Sequence, residues 1–141
     1  MGDLPGHEFH GNQYTAMASK AIKQVEEGRN TGAGGYISPH GGSYTKKMPE
    51  SNETPHPPRV FHAEIVRQLE ARGFVKTKEI KDSGIIRTVL SKTGVGTHTV
   101  DYRNLGVVPG DWSKGLRGHN EVRIHFEKER TWAANPPTRV G

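Results

Sequence analysis

The apolar residues of this chain are unevenly distributed, and their distribution limits where a core can form. Residues 1–58 contain few Val, Ile and Leu, whereas residues 59–141 contain most of them. Hydrophobic residues make up 31% of the chain, well below the roughly 45–50% of an average globular protein. A core built from the whole length would be thin, so we expect a compact C-terminal body with a long N-terminal segment outside it.

Charge and turn-forming residues divide the chain in the same way. Residues 1–58 carry five Lys and Arg against six Asp and Glu, a net charge of −1, while residues 59–141 carry fifteen against nine, a net charge of +6, and the two sum to +5. Four segments are predicted: an arm with a short amphipathic helix at 1–28, a Gly/Pro-rich linker at 29–58, a basic α+β domain at 59–132 and a flexible tail at 133–141.

The first helical pattern lies near the start of the chain. Thr15 can cap a helix at about residues 16–27, and Gly28 stands where the C-terminal cap of that helix belongs. The apolar residues that share one face of this helix are Met17, Ala18, Ala21, Ile22 and Val25. Residues 1–14 are expected to be extended or irregular, because proline and glycine interrupt the helical spacing there.

A second helix is predicted in the segment RVFHAEIVRQLEAR, directly after two prolines. Phe61, Ile65 and Leu69 recur at positions i, i+4 and i+8, which places them on one face of a helix. Gly73 can adopt the left-handed conformation at the end of this helix, and Phe74 would then pack back on its last turn.

Four segments after the second helix have the composition and alternation of β-strands. They are VKTKEI, IIRTVLS, THTVDY and EVRIHFE, and the turns DSG and KTGVG separate the first three. Hairpin pairing of neighbouring strands gives an α+β fold: a small antiparallel sheet of three to four strands with one helix packed on a face, preceded by a long arm that contains a short helix.

The histidines are the first candidates for metal or catalytic chemistry. HEFH resembles the zinc-protease pattern H-E-x-x-H, but its histidines, His7 and His10, stand three residues apart rather than four, and no third ligand is indicated. We therefore predict no metal, no cofactor, no catalytic residue and no enzymatic activity. A small nuclease stays open as an alternative if His98, His125 or Glu127 meet in one cleft.

The basic C-terminal domain suits a partner that carries negative charge. The predicted contacts to nucleic acid or to an acidic protein surface are Arg67, Arg72, Lys76, Lys78, Arg87 and Lys92, and Arg59 and Lys81 belong to the same set of basic residues. Aromatic residues that could stack on bases are sparse, and the Gly-rich segments TGAGG and TGVG lack the Lys-Ser/Thr of a phosphate-binding loop. A solvated basic surface without a partner is the alternative.

The segment GHEFHGNQYT carries the specific resemblance of this sequence to known proteins. The pattern G-H-x-F-x-G-N-Q-Y is filled by Gly6, His7, Phe9, Gly11, Asn12, Gln13 and Tyr14. It resembles a short motif that recurs in proteins of tailed bacteriophages and prophages, including head-morphogenesis and portal-associated proteins, where it commonly lies in an arm followed by a short helix. The resemblance covers about nine of the 141 residues, and it implies a phage setting without implying a catalytic residue.

The residue types of this motif favour binding to another protein. The Asn-Gln pair supplies hydrogen-bond donors and acceptors, the aromatic residues supply apolar anchors, and the glycines let a backbone approach closely. We predict that His7, Phe9, Asn12, Gln13 and Tyr14 form a protein-binding arm that docks in a groove of its partner. The alternative is an ordered N-terminal loop packed on its own domain.

The resemblance implies a phage-encoded accessory or virion-associated protein. Its expected partners are capsid, portal or another phage protein, in the cytoplasm of the host bacterium or in the virion. No membrane partner is expected, because no apolar run approaches the roughly 20 residues that cross a bilayer. The alternatives are a phage inhibitor of a bacterial defence system, similar in role to anti-CRISPR proteins, and a small basic nucleic-acid-binding protein or nuclease.

Overall fold

The fold consists of two helices and one five-stranded sheet, in a computed structural model that describes residues 5–31, 37–49, 57–82, 84–106 and 119–129. Helix α1 spans Pro5–Glu26 and helix α2 spans Pro57–Ala71. The strands are β1 (Ser43–Pro49), β2 (Val75–Asp82), β3 (Ile85–Lys92), β4 (Gly96–Gly106) and β5 (His119–Lys128). The predicted tail at 133–141 lies outside the described residues.

The five strands form one antiparallel sheet in the order β1-β5-β4-β3-β2. Helix α1 packs on α2, β5 and β1, and α2 packs on the four strands from β5 to β2. Along β4, the alternate residues His98, Val100 and Tyr102 point towards the helices and are buried. Both helices therefore cover the same face of the sheet, which we call the inner face. The α+β class is confirmed, and the sheet has more strands than the three to four predicted.

The additional strand is β1, which falls inside the predicted linker at 29–58. It pairs antiparallel with β5, and Tyr44 and Met48 lie on the inner face opposite Ile124 and Asn120. Met48 is buried and Tyr44 packs edge-on against Phe61 of α2. The segment SYTKKMP has only these two apolar side chains at alternating positions, and such a weak pattern does not distinguish an edge strand from a linker.

Helix α1 begins at Pro5, so the prediction that residues 1–14 are extended or irregular is wrong for the described part of that segment. Proline is tolerated at the first position of a helix because its missing N–H has no partner there in any case. The two glycines that follow each cost about 1 kcal/mol of helix propensity, which weakens a helix without forbidding it.

The predicted apolar face of the first helix is confirmed, but this helix is part of the body. Ala18, Ala21, Ile22 and Val25 are buried in one cluster with the apolar residues of α2 and the sheet. Gly28 ends the helix with a φ of 89°, and the Arg29 N–H donates to the Gln24 carbonyl, as in a Schellman motif. Two helices, rather than one, therefore cover the sheet.

Helix α2 has the predicted buried face and the predicted end. Phe61, Ile65 and Leu69 are fully buried. Gly73 adopts a φ of 97°, and the Phe74 N–H donates to the Leu69 carbonyl at 3.0 Å. This Schellman-type end turns Phe74 into the core, where it is buried.

Candidate functional sites

The motif residues lie in the first half of α1, where one of them is exposed and another is buried in the protein's own core. His7, Phe9 and Asn12 belong to the helix, and their side chains lie outside the described atoms. Gln13 is exposed, whereas Tyr14 is only 7% exposed and its ring lies 5.9 Å from that of Phe61. Tyr14 is thus part of the protein's own core, and the prediction that its side chain contacts another protein is wrong.

The six predicted basic contacts do not share one surface. Arg67 and Lys76 line a depression on the inner side of the sheet. Lys78 pairs with Val89 in the sheet and shares with Arg87 the face that points away from the helices, which we call the outer face. Lys76 and Lys78 are two residues apart and would share one face of a regular strand, but a bulge between them shifts the register and sends them to opposite faces.

The remaining two predicted cations, Arg72 and Lys92, stabilise the end of α2. The Arg72 guanidinium donates to Gln68 Oε1 at 2.9 Å and to Ser19 Oγ at 3.3 Å. Lys92 Nζ donates to the Arg72 carbonyl at 2.7 Å and lies 5.9 Å from the centre of the Phe74 ring. These contacts give both side chains a structural role.

The outer face carries ion pairs between neighbouring strands and within β5. Arg87 donates two hydrogen bonds of 2.9 Å to the carboxylate of Asp101, whose side chain is 5% exposed. Glu121 lies 4.0 Å from both Arg103 and Arg123. Much of the positive charge of this face is therefore balanced locally, which weakens its attraction for an anionic polymer.

His98 and His125 lie on opposite faces of the sheet, which contradicts the condition of the nuclease alternative. In the pairing of β4 with β5, His98 stands opposite Phe126 and Thr99 stands opposite His125. His125 is exposed, and its Nδ1 lies 2.7 Å from Ser43 Oγ. Glu127 shares the outer face with His125, so the three residues do not form one acid/base site.

The buried His98 pairs with Glu26, a partly exposed residue at the end of α1. Its ring is fully buried between Phe74 and Phe126, at centroid distances of 5.0 and 4.6 Å. His98 Nε2 lies 2.7 Å from Glu26 Oε2, and Nδ1 has no hydrogen-bond partner among the described residues. The pair ties α1 to β4 across 72 residues of sequence, a separation that leaves no local pattern in the sequence.

A depression between α2 and β2 is a candidate binding site, and we call it the α2–β2 trough. Its volume is about 290 Å³. It is lined by Arg59, His62, Ala63, Val66, Arg67, Glu70, Lys76, Glu79, Lys81, Ile86, Thr88 and Tyr102. The residues from α2 recur at helical spacing along one side of the helix, and those from β2 point to the inner face because they pair with inward residues of β3.

One end of the trough is formed by Arg59, Lys81, Ile86 and Tyr102. Lys81 pairs with Ile86 and Ile86 pairs with Tyr102, so the three side chains form a row across the sheet. The Arg59 guanidinium lies over the Tyr102 ring, 5.5 Å from its centre. The Tyr102 hydroxyl donates to Asn120 Oδ1 at 3.1 Å. The ring is thereby fixed at both its face and its edge.

His62 forms part of the trough wall and is held by the sheet. Its Nε2 donates to the Val100 carbonyl at 3.2 Å. Burial lowers the pKa of His62 below its usual value of 6.5, against the raising effect of this hydrogen bond and of the Asp101 and Glu79 charges. A neutral imidazole whose Nε2–H is donated to a carbonyl supports the wall and leaves no free proton donor at that atom.

The cations of the trough were among the predicted basic contacts, but its apolar lining was not predicted. Val66 and Ile86, which are partly buried against the core, come from a helix and a strand 20 positions apart in sequence, so neither pattern indicated a shared surface. In the described part of the chain, no three or more His, Cys, Asp and Glu residues are grouped as a metal site would require. Neither of the two helices, as far as they are described, has the length and apolar character needed to cross a membrane.

Comparison of the chain with protein-family models, with curated proteins and with solved structures returns no match.

Proposed function

We propose that this chain is a phage-encoded accessory or virion-associated protein that acts by binding another phage protein, without enzymatic activity. The support for the phage setting is the motif from Gly6 to Tyr14. Capsid and portal proteins are the proposed partners, and the host cytoplasm and the virion are the proposed locations. The nuclease alternative is not retained, since its three residues lie on two faces of the sheet.

The observation that supports this function most directly is that Gln13 is exposed while its neighbour Tyr14 is buried. Tyr14 packs on Phe61 and fixes α1 to the body, while Gln13, its neighbour, is exposed. A partner would therefore meet the motif on a helix anchored to a folded body. We propose His7, Phe9, Asn12 and Gln13 as the contacts, bound as a helix in a groove of the partner.

Anchoring the motif helix also favours binding energetically. An extended arm would lose backbone conformational freedom when it binds, at a cost of roughly 1–2 kcal/mol for each residue that becomes ordered. A segment that is already helical and is fixed at one end loses less. The compact body then serves as the base from which the motif is presented.

Point substitutions test this proposal better than a deletion of the predicted arm. Removal of residues 1–28 would also remove Tyr14, Ile22 and Val25 from the core, so a loss of binding would only report unfolding. The informative variant is Phe9→Ala combined with Asn12→Ala. The matched control is Lys20→Ala combined with Lys23→Ala, which changes two exposed residues of the same helix.

Each variant would be produced, with a tag, in bacteria in which the phage that encodes the chain is multiplying. We expect the control to co-purify with phage heads and the motif variant to be lost from them, while thermal unfolding shows that both are folded. Equal co-purification of both variants would refute the role of the motif. Absence of the unaltered chain from heads and from every head-assembly protein would refute the proposed setting.

A further inference from the structure

We infer that the α2–β2 trough is a second binding site, which takes an extended acidic peptide segment of a partner protein. This site goes beyond the proposed function, because it lies on the body and uses none of the motif residues. The inference depends on the charge, the shape and the lining of the trough.

The charge of the trough is concentrated at one end. Arg59 and Lys81 form no ion pair with a carboxylate of the described residues, whereas Arg67 is bound to Glu64 and Lys76 lies 3.9 Å from Glu79. The chain reverses direction between α2 and β2, so Arg59 at the start of the helix and Lys81 near the end of the strand belong to the same end. Two cations that no carboxylate of the described residues neutralises favour a ligand that brings a carboxylate to this end.

The shape of the trough favours an extended segment. Its lining runs along α2 from Arg59 to Glu70, a length of about 16 Å at the helical rise. A volume of about 290 Å³ is too small for a docked helix, which is about 10 Å across with its side chains. About five residues of extended chain cover the same length and insert only alternate side chains. All eight residues of β2, which forms the outer wall, are exposed.

The lining favours a peptide over a nucleic acid. Ala63, Val66 and Ile86 give the trough an apolar part that suits an aliphatic side chain two positions from the bound acidic residue, on the same face of the extended segment. Glu70 and Glu79 also line it and would repel a phosphate chain that ran its whole length. Bases would lack a stacking surface, because Arg59 covers the face of the Tyr102 ring.

Strand β2 offers a matched pair of lysines for the test. Lys81 points into the trough, whereas Lys78 lies on the same strand and points to the outer face. Lys81→Glu and Lys78→Glu change the net charge equally. A third variant, Ala63→Trp, fills the trough from an exposed helix position and keeps the charge. Thermal unfolding of each variant confirms that it is folded.

The probe is a fluorescein-labelled decapeptide with aspartate at positions one and three, leucine at positions five, seven and nine, and serine elsewhere. Its inserted side chains are therefore acidic at one end and aliphatic over the rest. The same peptide with lysine in place of aspartate is the charge control. Fluorescence anisotropy measures binding to the full chain. We expect saturable binding of the acidic peptide alone, about fivefold weaker binding for Lys81→Glu, less than twofold weaker binding for Lys78→Glu, and a loss of binding for Ala63→Trp. Amide chemical-shift changes should lie in α2 and β2.

Four results would overturn the inference. One is that the acidic peptide does not bind saturably, and another is that Lys81→Glu and Lys78→Glu weaken binding equally, which would indicate general charge attraction. A third is unchanged binding by Ala63→Trp. The fourth is that a labelled 20-nucleotide oligothymidylate binds more tightly than the peptide and loses affinity with the same variants, which would assign the trough to nucleic acid.

Discussion

Replacement of Tyr14 by alanine separates a core residue from a partner contact. The Tyr14 side chain is 7% exposed and packs on Phe61 at 5.9 Å between ring centres. Truncation of a buried aromatic residue to alanine costs roughly 3–5 kcal/mol, the sum of lost transfer free energy and of the cavity left behind. The hydroxyl contributes no apolar area, so we expect a loss near the lower limit, about 3 kcal/mol of unfolding free energy.

The assay is thermal unfolding followed by circular dichroism, with urea unfolding as a second measure. A loss of about 3 kcal/mol corresponds to a fall in Tm of about 12 °C for a chain of this size. Gln13→Ala is the control, because the neighbouring residue is exposed and its substitution should change stability by less than about 0.5 kcal/mol. If Tyr14→Ala lowers Tm by no more than Gln13→Ala does, the placement of α1 against α2 is wrong.

Three further substitutions test individual contacts. Glu26→Ala should lower the unfolding free energy, measured in urea, by about 1–3 kcal/mol, because buried His98 loses its hydrogen-bond partner. Glu26→Gln should cost less, because the glutamine amide can still hydrogen-bond to His98. Equal losses for the two variants would contradict the hydrogen bond. Burial lowers the pKa of His62, so the unfolded chain binds its proton at a higher pH than the folded chain does. The contribution of neutral His62 to folding stability is therefore complete above pH 6.5, the usual pKa of histidine, and is lost as pH falls through the lowered pKa. In a profile of Tm from pH 8 to pH 5, His62→Gln should flatten the fall below pH 6.5. An unchanged slope would contradict the burial of His62. Gly41→Ala should lower the unfolding free energy by more than Gly94→Ala does, because a Cβ at Gly41 would lie 2.0 Å from a β5 carbonyl oxygen, whereas a Cβ at Gly94 meets nothing within 4 Å. Both glycines have a positive φ, so both substitutions carry the cost of a strained backbone, about 1–3 kcal/mol. Equal losses in urea unfolding would show that the close approach at Gly41 is absent.

Helix α2 was predictable because its determinants are local. Phe61, Ile65 and Leu69 repeat at helical spacing, and Gly73 and Phe74 mark the end within a few residues. The strands from β2 to β4 are joined by short hairpin turns, so their pairing also follows from nearby sequence. The register of β4 with β5 was not predictable in this way, since residues 107–118 separate the two strands.

Strand β1 and the role of α1 depend on distant partners. Tyr44 gains its place from Ile124, 80 positions later, and from Phe61 of α2. The apolar face of α1 was visible in the sequence, but an amphipathic helix fits an arm that binds a partner as well as it fits the chain's own core. Only the tertiary contact between Tyr14 and Phe61 decides between these two roles.

The candidate sites were predictable in residue type and not in grouping. Six cations were expected to act together, yet a bulge between Lys76 and Lys78 sends the first to the inner face and the second to the outer face, although strict alternation would keep them on one face. The pair of His98 with Glu26 could not be found from spacing, because its members meet only when α1 lies against β4. Sequence patterns report local periodicity, whereas a site depends on how separate elements are packed.

The place of β1 in the sheet has a consequence for synthesis on the ribosome. β1 leaves the tunnel before α2 and the other strands, but its pairing partner is β5, which begins at His119. Helix α1 likewise packs on β5, so Ile22 and Val25 have no complete surface to cover them until that strand is released. A nascent chain from which β5 has not yet emerged therefore exposes the apolar side of α1, and chaperones that recognise such surfaces would meet it before the sheet is complete.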